Sequence, residues 1–161
     1  MRLTLAVAVT AMVVAATATL GSTIAYAEPV VPQPDTPCAA EMAGTLTKLP
    51  DYKTVLECRN NQWQIFDSPF PNSDRWLSYG PELTLSGEGV RNREIDSGDW
   101  IAHPQDSGSR CKAEQVAVIA AGTLGPPQVS TGEPGQPLKL RLLPLLFNLE
   151  LSGNCLWQKV E

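Results

Sequence analysis

Leu138-Lys139-Leu140-Arg141-Leu142-Leu143-Pro144-Leu145-Leu146-Phe147-Asn148-Leu149-Glu150-Leu151 is the stretch on which the fold turns. Leu138, Leu140 and Leu142 alternate with Lys139 and Arg141, the two-residue period of a strand with one buried and one wet face. After Leu143-Pro144 the apolar set moves to Leu145, Phe147, Leu149 and Leu151, so the phase slips by one residue. A bulge or corner at Pro144 accounts for the slip, because proline lacks a ladder donor and is tolerated at bulges and edges. Ser152-Gly153-Asn154 reads as a turn into a closing strand, Cys155-Leu156-Trp157.

Upstream the same period recurs in shorter pieces. Thr54 to Cys58 and Trp63 to Phe66 read as strands joined through Arg59-Asn60-Asn61, where consecutive asparagines accept positive φ and favour a tight hairpin. Trp76 to Val90 reads as one or two strands with Gly80-Pro81 between them, the second putting Leu83, Leu85, Gly87 and Gly89 on one face. Trp100-Ile101-Ala102 is a short apolar strand, and Cys111 to Ala121 is taken as a strand on the weight of Val116, Val118 and Ile119. Asp67 to Asp74, Arg91 to Asp99, His103 to Ser109 and Gly125 to Pro137 carry turn and loop chemistry. One helix is expected: Thr36 can cap it, Pro37 can start it, and Cys38, Met42, Leu46 and Leu49 would line one face before Pro50 ends it. The expected fold is therefore mostly β within an α+β arrangement, a small antiparallel sheet or sandwich with one N-terminal helix packed on it. No internal repeat is present.

The first 27 residues have the order of a secretion signal: Arg2, an uncharged run from Leu3 to Leu20, then small residues ending in Ala25-Tyr26-Ala27. An uncleaved anchor is the alternative, since the run approaches the length of a membrane span. Cleavage would leave 134 residues with 11 Lys+Arg against 17 Asp+Glu, a net charge of −6, and no transmembrane segment. Residues 28–37 hold four prolines and read as an extended leader, so the domain is expected over residues 38–161. The first cysteine lies beyond this leader, which argues against a lipid anchor on a mature N-terminal cysteine. The basic residues are scattered and the chain is acidic, so nucleic acid is not an expected partner.

Cys38, Cys58, Cys111 and Cys155 all fall after the signal, and an even count in an exported chain argues for two disulfides. Three pairings are possible. Cys38–Cys58 with Cys111–Cys155 is favoured, because each pair joins segments that read as neighbours, and loops of that size stabilise by roughly 3 to 4 kcal/mol each in the chain-entropy model. Zinc would want short C-x-x-C spacings and a second histidine, neither of which is present, so no metal or cofactor is expected.

Motifs for familiar catalysis are missing: no G-x-S-x-G, no H-E-x-x-H, no phosphate loop. His103, the sole imidazole, sits before Pro104 in an expected loop with Asp99 and Asp106 nearby. The acidic residues Glu88, Glu94, Asp96 and Asp99 could supply a carboxylate pair for sugar hydrolysis, although Arg91 and Arg93 interleave with them as in a self-paired solvated loop. Trp63, Trp76, Trp100 and Trp157 are candidate ligand-contact aromatics, with core packing as the competing use.

The Ala/Val-rich signal ending in Ala25-Tyr26-Ala27, the proline-rich leader, and the framework of Cys38, Cys58 with Trp63, Cys111, and Cys155 with Trp157 resemble small exported proteins of unknown function from mycobacteria and related actinomycetes. The resemblance covers the whole chain through loose motifs. It implies an extracytoplasmic, envelope-associated life and transfers no catalytic residue. The expected function is a non-enzymatic binding or interaction module of the cell envelope or medium, recognising an envelope protein, glycan or lipid; the alternative is a small carboxylate-dependent hydrolase acting on envelope glycans.

Overall fold

A computed structural model describes residues 30–160. The expected signal over residues 1–27 lies outside the described residues. Ten strands make one mixed sheet: β1 (Leu46–Lys48), β2 (Val55–Arg59), β3 (Gln62–Ile65), β4 (Arg75–Ser86), β5 (Gly98–Pro104), β6 (Lys112–Ala120), β7 (Thr123–Leu124), β8 (Gln128–Thr131), β9 (Leu138–Leu142) and β10 (Leu146–Lys159). The order along the main path is β3-β2-β1-β4-β10-β5-β9, with β6 on β10 and with β7 and β8 on β6. All pairings are antiparallel except β1 with β4.

The spine is β10. One edge of it runs along β4, while the other is shared, β6 pairing from Leu146 to Ser152 and β5 from Cys155 to Lys159. The expected turn at Ser152-Gly153-Asn154 is therefore a correction: those residues stay in the strand and mark the point where β10 changes partner. Gly153 is required there. Its φ is 91°, and a Cβ on it would lie 2.2 Å from the Arg110 carbonyl oxygen. Gly80-Pro81, expected between two strands, is likewise inside the single strand β4, where the register against β10 slips by one residue. A bulge absorbs proline without ending the strand.

The N-terminal helix is also corrected. Only a single 3₁₀ turn forms, at Ala40–Met42, because Gly44 with φ 75° stops it and Thr45-Leu46-Thr47 follows as β-favouring sequence. Too few residues precede Gly44 to repay helix nucleation. Cys38 and Leu46 are nevertheless buried, and Met42 and Leu49 pack against the same apolar cluster as Cys38, so the apolar spacing was real although its period was misread.

The phase slip in the Leu-rich segment is a bulge, but it falls at Phe147 and not at Pro144. Leu146 pairs with Ala117 and Asn148 with Val116, which leaves Phe147 as the extra residue. Leu146, Leu149 and Leu151 face inward, and Leu145 and Phe147 are left exposed. Asn60 and Asn61 both have positive φ, as the hairpin between β2 and β3 demands.

Trp76, Leu85, Ile95, Trp100, Leu142, Leu149 and Trp157 form the centre of one core to which β2 contributes Val55 and β9 contributes Leu140. Side chains from β2, next to one end of the strand order, and from β9 at the other end meet in this cluster, so the sheet is curled around it. Gln115 on β6 helps to hold the curl: its buried amide donates to the Arg141 carbonyl at 3.1 Å and accepts from the Leu143 N–H at 2.9 Å. Gln115→Leu should destabilise by about 2 kcal/mol, because both backbone groups lose a buried partner. Denaturant titration together with faster hydrogen exchange at Leu143 would record this; unchanged exchange there would contradict it.

Candidate functional site

The outer face of the sheet carries a second, smaller cluster of Cys38, Leu56, Cys58, Trp63 and Leu77. The Cys38–Cys58 disulfide ties this cluster together with Cα atoms 6.0 Å apart, and Cys111–Cys155 bridges β10 to the start of β6 with Cα atoms 5.9 Å apart. Both bonds are the favoured pairing.

The proline-rich leader joins this face. Asp35 N–H donates to the Trp63 carbonyl at 2.7 Å, Trp63 N–H donates to the Thr36 carbonyl at 2.8 Å, and Pro37 bridges Gln62. Residues 35–37 of the stretch read as an extended leader thus cover the open edge of β3, and Pro32 is buried. Prolines suit that position, since an edge strand needs a neighbour that offers few donors to further strands.

Between the leader and the sheet lies a groove of about 460 Å³. Its floor is Leu77, Tyr79 and Trp63, its wall is Val30 to Pro32, and Gln105 and Asn154 stand at its rim. The rim is fixed from below. Gln105 N–H donates to the Asn154 carbonyl at 2.9 Å, and the Asn154 side-chain amide donates to Asp106 at 3.1 Å. Hydrogen bonds from the Ser109 hydroxyl, then from the Asn154 amide, hold the Asp106 carboxyl below the usual carboxylate range. Tyr79 hydroxyl donates to the Lys48 carbonyl at 2.8 Å, and burial pushes its pKa above the ordinary phenol value.

The four tryptophans are all buried. Trp76, Trp100 and Trp157 belong to the main core, where each indole N–H is satisfied by Ser73 and Glu94 carbonyls, the Asp96 carbonyl, and the Ser78 hydroxyl respectively. Among the four, Trp63 is the one lining the groove.

Of the four candidate carboxylates, Glu88, Glu94 and Asp96 are held by close partners, and Asp99 is exposed with only a loose surface pair. Glu94 sits 2.6 Å from the Lys48 ammonium and accepts from the Ser86 N–H at 2.8 Å. Glu88 accepts from the Ser97 hydroxyl at 2.9 Å, Asp96 pairs with Arg93 at 2.7 Å, and Asp99 on β5 lies 3.8 Å from Arg141. Glu94 and Lys48 are mostly buried, so this pair fastens β1 to the loop after β4. His103, expected in a loop, lies in β5 opposite Leu156 and is half-buried.

Sequence reasoning missed Tyr79, Gln105, Asn154 and the leader wall. No local signal marks them, since five separate segments converge only after β10 has paired with β4 and β5. No group of His, Cys, Asp and Glu among the described residues is arranged to hold a metal ion, and no helix among them is long and apolar enough to cross a membrane. The comparisons find no match to this chain among protein-family models, curated proteins or solved structures.

Proposed function

We propose that the chain is an exported, non-enzymatic binding module of the cell envelope or surrounding medium, with the groove under the proline-rich leader as the surface that holds its ligand. The observation that carries this reading is the groove itself: an apolar floor and wall with amide side chains fixed at the rim, which is the usual composition of a recognition site. Two disulfides are typical of proteins outside the cytoplasm, which supports the location. Cys38, which lines the groove, is held to β2 by its bond to Cys58, so the site and the oxidised state go together.

Retention of the disulfide-bonded protein on washed envelope fractions tests the proposal. Wild type should be retained, and Val31→Glu, which places a charge in the apolar wall, should weaken retention about tenfold with little change in melting temperature. Absence of retention on every fraction, or equal retention of the two proteins, would sink the groove reading.

A further inference from the structure

The groove under the leader has no charged side chain in its lining, although the chain holds 17 acidic and 12 basic residues. An ionic group on a ligand would find no counter-charge there. Trp63 and Tyr79 lie in the floor at 4% and 7% exposure, too deep for either ring to serve as an open platform for a sugar. With Leu77 they make a surface suited to hydrocarbon.

Backbone partners are scarce around that floor. Trp63 N–H and carbonyl are both taken by the leader, and Leu77 and Tyr79 belong to the part of β4 that pairs with Leu156 and Asn154 of β10. The Leu77 carbonyl also accepts from the Thr47 hydroxyl at 2.8 Å. In the wall, Pro32 has no N–H to give, and the Gln33 N–H donates to the Thr36 hydroxyl at 3.3 Å. An extended peptide laid in the groove would bury its own N–H and C=O groups with no ladder to join. A hydrocarbon chain carries no such groups.

The rim has a different chemistry. The Gln105 amide donates to the His103 carbonyl at 2.8 Å and the Asn154 amide to Asp106 at 3.1 Å, which leaves each amide oxygen without a partner among the described residues. Each amide nitrogen carries a second N–H, so the pair can both accept from and donate to a hydroxyl. Asp106 accepts from the Gly108 and Ser109 N–H groups, the Ser109 hydroxyl and the Asn154 amide. Those four donors fill the lone-pair positions of a carboxylate, so no place is left for a cation, and its negative charge repels an anionic head.

We infer that the groove takes a neutral lipid, its hydrocarbon chain lying on Leu77, Trp63 and Tyr79 under the leader and its uncharged, hydroxyl-bearing head meeting the Gln105 and Asn154 amides. This names the ligand class for the proposed binding module and rests on that reading of the groove.

Calorimetric titration of the disulfide-bonded protein with 1-monooctanoylglycerol, octanoate and octylammonium compares three heads on one chain length. The glyceride should bind tightest, ahead of octanoate by at least about fivefold from charge repulsion alone. Lengthening the glyceride chain from octanoyl to decanoyl should tighten binding about tenfold, as two more methylenes leave water. Gln105→Leu should weaken the glyceride about fivefold through the lost hydrogen bond and leave octanoate within twofold of wild type. Val31→Glu should weaken every member of the series, and monooctanoylglycerol should displace wild type from envelope fractions. Tighter binding of either charged probe, or of a capped Ala-Val-Val-Ala peptide, would overturn the inference, as would an affinity indifferent to chain length. Retention on envelope fractions that depends on Val31 but is untouched by the glyceride would sink the ligand class and leave the groove reading standing; absence of retention on every fraction strikes that reading instead.

Discussion

Trp157→Ala should destabilise the protein by about 3–5 kcal/mol, the range for removing a large aromatic side chain from a packed core. Trp157 is 1% exposed and stands on the spine strand β10, directly opposite Trp76 on β4 and Ala102 on β5. Its indole N–H donates to the Ser78 hydroxyl at 2.9 Å, and that hydroxyl donates in turn to the Gly153 carbonyl at 2.7 Å. The substitution therefore empties the centre of the core and removes a partner from the hydroxyl that braces the partner change in β10. Trp157→Phe keeps most of the apolar volume and loses the indole hydrogen bond, so a loss of about 1–2 kcal/mol is expected. Urea denaturation measures both. With a domain of this kind stable by about 5–15 kcal/mol in total, the alanine variant should lose a large share of its stability and unfold at a markedly lower urea concentration. A loss below that of the phenylalanine variant would contradict the central place given to Trp157.

Removing the Cys111–Cys155 bond by Cys111→Ala with Cys155→Ala should cost about 4 kcal/mol, from closing a long loop in the chain-entropy model. The sequence separation is 44, against 20 for Cys38–Cys58, whose loss should cost about 3 kcal/mol. Position adds to the difference. Cys155 begins the β5-paired half of β10, and Cys111 begins the segment that supplies β6, so this bond locks the junction of three strands. Cys38–Cys58 joins the leader to the outer face, and its loss should loosen the groove before it unfolds the core. Calorimetry on the two double variants, with retention on envelope fractions as a second readout, separates these effects. A larger stability loss for the Cys38–Cys58 pair would reverse the ranking.

Much of the sheet was legible because burial on one face imposes a period of two. Leu83 and Leu85, or Leu140 and Leu142, show their inward faces without any knowledge of their neighbours. The Asn60-Asn61 hairpin was legible for a different reason, since positive φ at two consecutive residues selects that pair. The helix misreading has an equally local cause. Spacings of four and three between Cys38, Met42, Leu46 and Leu49 fit a helix face, and they also fit a turn followed by a strand when a glycine stops the turn between them.

What the sequence determined by itself was the β class, the inward faces of its strands, and the four cysteines with a favoured pairing. Each of these depends on residue type and short-range periodicity. Only the tertiary structure decided that Ser152-Gly153-Asn154 continues a strand, because staying extended there is favourable only when β6 ends and β5 begins along the same edge. The same holds for the position of the bulge at Phe147, which follows from the ladder to β6 and so turns Leu145 and Phe147 out to solvent. The groove was beyond local reading as well: its floor, wall and rim come from segments far apart in the chain, and the long-range pairing of β10 brings them together.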